Sequence, residues 1–156
     1  MRKTHFTASL AMLAALVVSG CQTGMVNSLD TAVHGVKVAD ISAGDLNQGK
    51  AQFRDANYGL AEKHFRKAVE LRADNAEAWM GLAASYDQLG RFDFADRAYD
   101  QLLRLAGREP RVVNNLGYSQ LLRGNRKKAR QLFEEARRNA PNDKVIVANI
   151  ELLDKL

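Results

Sequence analysis

The chain has 156 residues, a formal net charge of +5 and a single cysteine. One cysteine excludes an internal disulfide, and the length is sufficient for one domain with its own hydrophobic core. Arg2 and Lys3 supply part of the positive charge. The excess over the remaining residues is therefore mild and does not indicate a nucleic-acid-binding protein.

Residues 1–20 have the layout of a secretory signal. Two cationic residues follow the first Met, and residues 6–18 form a mostly apolar run. This run is shorter than the roughly 20 residues that a membrane-spanning helix needs. A short apolar run with a cationic flank is typical of a cleaved leader. Two small residues follow the run, and Cys21 stands directly after them.

The segment Val18-Ser19-Gly20-Cys21 resembles the lipobox of bacterial lipoproteins. The resemblance implies cleavage after Gly20 and acylation of Cys21, with palmitate among the acyl groups. Each methylene that enters a membrane contributes about 0.8 kcal/mol, so three acyl chains would make attachment effectively permanent. In enterobacterial lipoproteins, a residue such as Gln22 in place of Asp implies the periplasmic face of the outer membrane. The alternatives are an ordinary cleaved signal beside a chance cysteine, or an uncleaved anchor.

The next segment, residues 21–43, has no strong hydrophobic period and contains Gly24 and Gly35. We interpret it as the lipidated N-terminus and a flexible tether. The tether leads to a predicted domain of residues 44–156.

This domain contains an internal repeat with a spacing of 34 residues. Small or apolar residues recur at that interval in four columns, which are Gly49, Ala83 and Gly117; Ala61, Ala95 and Ala129; Phe65, Tyr99 and Phe133; and Ala68, Leu102 and Ala136. A single repeat cannot bury its own apolar stripe, so the pattern predicts stacked units that share one core.

In the middle repeat, residues 79–86 have the pattern Trp-x-x-Leu-Ala-x-x-Tyr, which places four side chains on one stripe of a helix. Together with Ala95, Tyr99 and Leu102, this pattern resembles the tetratricopeptide repeat (TPR). The resemblance covers about residues 42–143. It implies an all-α, helix-turn-helix solenoid of about three repeats, followed by a C-terminal capping helix.

The hydrophobic period predicts seven helices, near residues 44–55, 58–72, 76–89, 92–106, 110–123, 126–139 and 143–155. Gly90, Gly107 and Gly124 stand where helices end in left-handed backbone geometry. Pro110 stands where a helix begins.

Three local predictions concern individual side chains. Asp74 and Glu77 are predicted to form a capping pair for the third helix. Trp79 belongs to the repeat stripe and is predicted to lie in the core. His64 precedes the buried Phe65, so we expect a solvated surface side chain.

Catalysis is not expected. Cys21 is assigned to the anchor, and the remaining histidines of the mature chain are His34 in the tether and His64 on a helix. The sequence contains no HExxH, CxxC, GxSxG or phosphate-loop motif. We therefore expect no enzyme activity and no cofactor or metal.

The resemblance implies that ligands bind on the concave side, at positions outside the buried stripe of each first helix. Carried onto this chain, the predicted peptide-binding groove consists of Lys50, Arg54, Met80, Asp87, Arg111, Asn114, Asn115, Tyr118 and Leu122. Amides bond an extended backbone, while Met80 and Tyr118 supply adaptable apolar contact. A merely solvated inner face is the alternative. Gly81 replaces the central asparagine of the chaperone-type carboxylate clamp, so we do not expect that clamp.

Two other surfaces are candidates for interaction. The predicted sixth helix is basic and could attract acidic lipids or an acidic partner, although a solvated face balanced by Glu134 and Glu135 is the simpler interpretation. The C-terminal helix is more apolar than a solubilising end helix should be. Part of that helix is therefore a candidate for docking a partner or for self-association.

Residues 114–118 and 123–129 make the chain similar to the TadD-like lipoproteins of the Tad/Flp pilus system. The resemblance implies noncatalytic assembly work at the outer membrane, with a peptide of a secretin or of another pilus component as the partner. The rival within binding proteins is an adaptor for cell-wall hydrolases or for outer-membrane protein assembly.

Replacing Cys21 with Ser is expected to release the protein from the membrane, because the acyl chains would have no attachment point. Fractionation of cell envelopes measures this directly. Unchanged membrane association of Cys21→Ser, or an intact mass without acyl groups, would contradict the lipoprotein assignment.

Overall fold

The structure is a computed structural model that describes residues 40–156, so the predicted signal peptide, the lipidation site and most of the tether lie outside the described residues. The last residues that the sequence analysis placed in the tether belong to the helical unit. Ser42 is buried, and its hydroxyl lies 2.7 Å from Asp40 Oδ1 and 2.9 Å from Asn75 Nδ2. The compact unit therefore begins at Asp40.

Seven α-helices account for the regular structure of residues 40–156, and no strand occurs in this range. They are α1 (Ala43–Arg54), α2 (Tyr58–Leu71), α3 (Ala76–Gln88), α4 (Phe92–Ala106), α5 (Pro110–Leu122), α6 (Arg126–Asn139) and α7 (Lys144–Asp154). Every end lies within one residue of its predicted position. The predicted all-α fold is confirmed.

The helices form a solenoid of three helix pairs. Helix α1 packs on α2, α3 on α4, and α5 on α6, while α7 packs on α6 and α5. Each odd-numbered helix contacts the next odd-numbered helix, so α1 contacts α3, α3 contacts α5, and α5 contacts α7. The even-numbered helices do not contact one another in this way: α2 does not contact α4, and α4 does not contact α6. Because only the odd-numbered helices are drawn together, they line the concave side, which we call the inner face.

The four repeat columns are the core of this solenoid. Phe65, Tyr99 and Phe133 are all buried, and so are the alanines of the second column. A Cβ added at Gly117 would come within 2.6 Å of the Phe133 ring, and one at Gly49 within 2.7 Å of the Phe65 ring. The small residues are therefore required by the close approach of each ring to the neighbouring helix.

The glycine and proline residues that were predicted to end or begin helices do so, but one predicted helix cap is wrong. Gly90, Gly107 and Gly124 have positive φ values of 68°, 64° and 78°, which is the backbone region that glycine enters without a steric penalty. Pro110 is the first residue of α5. The predicted start of α3 is confirmed, but its cap differs from the prediction.

The residue that caps α3 is Asn75, whose side chain accepts from the Ala78 amide at 3.0 Å. The predicted pair of Asp74 and Glu77 is wrong because the helix begins one residue later than that pair requires. Asp74 bonds the Arg72 guanidinium instead.

Two other local predictions also differ from the structure. His64 is 31% exposed, and its Nδ1 lies 3.0 Å from Asp45 Oδ1, so it ties α2 to α1 and is not simply solvated. Trp79 is half-buried at the edge of the core, where its indole N–H donates to the Ala73 carbonyl at 2.8 Å. A side chain with an N–H group needs such a partner when it leaves water.

Helix α7 ends the stack as predicted. Ile146 and Leu153 are buried against α5 and α6, and the Asp143 side chain caps the helix by accepting from Val145 and Ile146 amides. Its other side carries exposed apolar residues, among them Leu156 at 58%. Within residues 40–156, every helix is too short or too polar to cross a membrane.

A buried hydrogen-bond network joins the second and third helix pairs. Asp87 of α3 is 4% exposed and accepts from the Tyr99 hydroxyl of α4 at 2.9 Å and from the Ser119 hydroxyl of α5 at 2.8 Å. The Arg123 guanidinium lies 3.8 Å from Asp87 Oδ1 and forms a two-point contact with Asp96 at 3.0 and 2.6 Å. These contacts stabilise the buried carboxylate.

The electrostatics of this network are set by burial. Desolvation raises the pKa of Asp87 above its usual value of 3.8, while the hydrogen bonds from Ser119 and Tyr99 and the charge of Arg123 act in the opposite direction. Burial, followed by the Asp87 charge, raises the pKa of Tyr99 well above its usual value. The Tyr99 hydroxyl therefore stays protonated at physiological pH and donates its hydrogen bond to Asp87.

Replacing Gly81 of α3 with Ala is expected to destabilise the fold. A Cβ there would lie 2.4 Å from the ring of Phe65, which is buried and also touches Gly49. Overpacking costs about 1–3 kcal/mol, whereas replacing a helical Gly gains about 0.5–1 kcal/mol. The expected net loss is therefore about 1 kcal/mol, with an upper limit of about 2.5 kcal/mol. Urea denaturation measures it.

The matched control is Gly59→Ala in the first turn of α2, where an added Cβ meets nothing within 4 Å. This variant is expected to be as stable as the original chain or slightly more stable. Equal stability of the Gly81 and Gly59 variants would contradict the close approach of α3 to Phe65.

Replacing Ser119 with Ala is expected to lower stability by about 1–3 kcal/mol at neutral pH, because Asp87 Oδ1 loses its hydroxyl donor. The control is Ser85→Ala, a buried serine whose hydroxyl bonds only the Gly81 carbonyl in its own helix. That carbonyl keeps its helical partner. A loss as large in Ser85→Ala would contradict the special role of the network.

The pH dependence of Ser119→Ala follows from the raised pKa of Asp87. At a pH between the unfolded-state and folded-state pKa values of Asp87, the folded chain binds more protons at this group than the unfolded chain does. The contribution of this group is therefore largest at low pH and is lost as the pH rises through the folded-state pKa. The Ser119 hydrogen bond lowers the folded-state pKa of Asp87, so this pKa should be higher in Ser119→Ala. Chemical denaturation between about pH 4 and 8 should therefore show that the variant loses the contribution of Asp87 at a higher pH than the original chain.

Candidate functional site

The inner face carries two adjoining pockets, which together we call the inner groove. The first pocket has a volume of about 260 Å³ and lies between α1, α3 and the start of α5. The second has a volume of about 420 Å³ and lies between α3, α5 and α7, with contributions from the end of α1 and the start of α2. Phe53 and Ala84 line both pockets. The groove therefore runs across all four odd-numbered helices.

The first pocket has an apolar floor and a charged rim. Phe53, Phe65 and Met80 supply the larger apolar groups of the floor, and the absence of a side chain at Gly81 leaves the Phe65 ring at its base. The rim is formed by charged side chains, which are Lys50, Arg54, Glu77 and Arg111. An apolar floor with a few polar groups at its edge is the usual composition of a binding pocket.

Two of the rim charges neutralise each other. Lys50 Nζ lies 2.8 Å from Glu77 Oε1, in an ion pair that joins α1 to α3. Arg54 and Arg111 form no ion pair with any carboxylate of residues 40–156. Arg111 Nε instead lies 3.2 Å from the Met80 sulfur. The rim therefore has a net positive charge that comes from two exposed guanidinium groups.

Most residues that line the second pocket have neutral polar side chains. Tyr58, Gln88, Asn115 and Tyr118 face it together with Asn149 of α7. These side chains offer amide and hydroxyl groups to a bound molecule. Amide side chains can pair with both the N–H and the C=O of an extended peptide backbone.

The predicted groove residues divide into three groups. Lys50, Arg54, Met80 and Arg111 line the first pocket, whereas Asn115 and Tyr118 line the second. Asp87 and Asn114 also line the second pocket, but both are buried and their polar atoms bond other side chains. Leu122 is 39% exposed and lines neither pocket.

The internal partner of Asn114 extends the groove onto α7. Asn149 Nδ2 donates to Asn114 Oδ1 at 2.9 Å, and Val145 stands beside it with 62% of its surface exposed. The sequence analysis missed both α7 residues. The signal was present, because Val145 and Asn149 follow Arg111 and Asn115 at the same 34-residue interval.

Acidic neighbours balance part of the positive charge of the sixth helix. Arg130 pairs with Asp154 at 2.6 Å and Arg137 pairs with Glu134 at 2.8 Å. Glu135 forms a two-point contact with Arg108, which holds the pKa of Glu135 below its usual range. Within the described part of the chain, no cluster of three or more His, Cys, Asp or Glu side chains has the geometry to hold a metal ion.

Comparisons with solved structures agree with this architecture. The chain is similar to the TPR domain of Arabidopsis OM64, with 19% identity, a TM-score of 0.63, and coverage of 73% of this chain and 94% of that one. It is similar to PilF of Pseudomonas aeruginosa, with 24% identity and a TM-score of 0.62. That match covers 72% of this chain and 51% of PilF. At these identities, the likeness shows a shared fold.

A third relative is SycD, the type III secretion translocator chaperone of Yersinia enterocolitica. It shares 19% identity and a TM-score of 0.63, with coverage of 74% of this chain and 93% of that one. No curated protein sequence matches the chain. The family profile described as tetratricopeptide repeat matches residues 46–95 and 85–144, which together span more than half of the chain. The chain therefore belongs to the tetratricopeptide repeat family.

Proposed function

We propose that this chain is a noncatalytic scaffold of the bacterial cell envelope that binds an extended segment of a partner protein in its inner groove. The observation that carries the proposal is the continuity of that groove. It crosses α1, α3, α5 and α7 and combines an apolar pocket with a pocket of neutral amide and hydroxyl groups. An extended peptide has both kinds of group along its length.

A scaffold explains the polar residues of the groove better than an enzyme does. Asp87, the most deeply buried acid of the groove, is held by Tyr99, Ser119 and Arg123. His64 belongs to a pair with Asp45 and lines neither pocket. Among residues 40–156 these groups have structural partners.

Structures with the same fold support a protein partner. One is the first TPR of Spaghetti (RPAP3) bound to the HSP90 peptide SRMEEVD, and another is PcrH in complex with the chaperone-binding region of PopD. Their identities to this chain are 15% and 19%. They support the class of ligand, a segment of another protein.

The cellular setting of the proposal rests on the sequence. The lipobox that ends at Cys21 favours a lipid anchor in the outer membrane, with the TPR domain on the periplasmic face. The resemblance to TadD-like lipoproteins favours a role in Tad/Flp pilus or secretin assembly. The second candidate is an adaptor for cell-wall hydrolases or outer-membrane protein assembly.

The neighbouring genes separate these two candidates. Genes for pilins, a secretin and a secretion ATPase beside this one would favour pilus assembly. Genes for cell-wall enzymes would favour the adaptor.

Blocking the groove is expected to abolish partner binding without unfolding the protein. Ala84 lies where the two pockets meet, so Ala84→Arg would fill the groove with a long side chain while keeping a good helix former. A photo-crosslinker placed at Tyr118 in the native envelope, followed by mass spectrometry, reports the partner. We expect specific adducts with the original chain and a loss of at least tenfold with Ala84→Arg.

The matched control is Gln131→Arg, which makes the same change of charge on the outer helix α6, away from both pockets. It should leave the adducts unchanged. No specific protein recovered from Tyr118, or equal adducts from the Ala84 and Gln131 variants, would contradict binding in the groove.

A further inference from the structure

The two pockets of the inner groove differ in charge, and this difference gives the groove a direction. In the first pocket, the rim acid Glu77 is already paired with Lys50. Arg54 at the end of α1 and Arg111 at the start of α5 are exposed and unpaired within the described residues. The second pocket carries amides and tyrosines and has only the buried Asp87 as a charged group.

The floor of the first pocket adds a requirement for an apolar group. Phe65 is buried beneath it, and the ring is reached only because Gly81 has no side chain. Phe53 and Met80 flank this point, and methionine adapts its shape to a partner. A wholly hydrophilic ligand would make no apolar contact with this floor. An apolar side chain would bury the floor, and removing apolar surface from water favours binding.

The rim determines which charges can accompany that apolar side chain. Acidic groups beside it would meet guanidinium groups, which bind carboxylates through paired hydrogen bonds. Basic groups would be repelled by Arg54 and Arg111, because Glu77 is already neutralised by Lys50. A nucleic acid could match the positive rim, but its phosphates would not cover the apolar floor.

We infer that the inner groove selects a protein segment in which a large apolar residue is flanked by Asp or Glu. This apolar residue occupies the first pocket, and a neutral stretch of the same segment continues across Asn115 and Tyr118 in the second. The inference rests on the proposed binding function and adds the chemistry and orientation of the ligand. Arg54 and Arg111 are the residues that determine specificity.

The inference is tested by selection from a phage library of random peptides of about twelve residues, with the full chain as the target. Peptides that also bind Ala84→Arg are removed, so the selected ones depend on the groove. The expected consensus is an aromatic or large aliphatic residue next to Asp or Glu. A second selection against the double variant Arg54→Glu/Arg111→Glu is expected to replace these acids with Lys or Arg.

The affinity of one selected peptide, labelled with fluorescein, is then measured by fluorescence polarisation. Charge reversal at Arg54 and Arg111 should raise its Kd at least about tenfold, because two rim contacts change from attraction to repulsion. The control, Lys127→Glu/Lys128→Glu, makes the same change of charge on α6 outside both pockets. It should change Kd less than about twofold. Circular dichroism melts confirm that each variant is folded.

The possible outcomes separate the inference from the function on which it rests. Groove-dependent peptides with a basic or neutral consensus, or with unchanged affinity for the charge-reversed variant, would overturn the inference and leave the groove as a peptide site. Enrichment of no groove-dependent peptide would contradict both. A random-sequence DNA oligonucleotide that binds more tightly than the peptides, and loses binding in Ala84→Arg, would identify a polyanion site and also overturn the inference.

Discussion

The contact on which this structure depends is that of an aromatic ring with a residue that has little or no side chain. Phe65 meets Gly49 of α1 and Gly81 of α3, and Phe133 meets Gly117 of α5. In each case even a Cβ would approach the ring to less than 3 Å. This approach brings the backbones of α1 and α3 against the Phe65 ring of α2, and the backbone of α5 against the Phe133 ring of α6. Both rings lie in the hydrophobic core, so the close approach of these helices is part of how the core is packed.

The same contact shapes the binding surface. At Gly81, the missing side chain places an aromatic ring at the base of a pocket on the inner face. A residue that the fold requires for packing therefore also provides the apolar part of the proposed ligand site. Stability and binding are coupled at this position, since a larger residue there would disturb the core and fill the pocket floor.

A second constraint holds the helix pairs in register. The buried carboxylate of Asp87 bonds hydroxyl groups from α4 and α5, so it fixes the arrangement of three helices at once. Such a group is destabilising when buried alone, and it is tolerated because each oxygen has a donor. Asp87 lines the second pocket, but its two oxygens already have hydrogen-bond partners in the network, and the other described residues of that lining are uncharged. The groove therefore has a positively charged rim at the first pocket and mostly neutral side chains in the second pocket.

The sequence alone determined the helices and the core, because both follow from local rules. A 34-residue repeat of small and aromatic positions, with Gly90, Gly107, Gly124 and Pro110 as boundaries, fixes which segments are helical and which stripe is buried. It also located most of the inner-face positions. Only the tertiary structure decided which polar groups have internal partners. Asp87 and Asn114 bond neighbouring helices, while Arg54 and Arg111 form no ion pair with any other residue of the range 40–156. Pairing across helices depends on distances in space, which a repeat pattern along the chain does not specify.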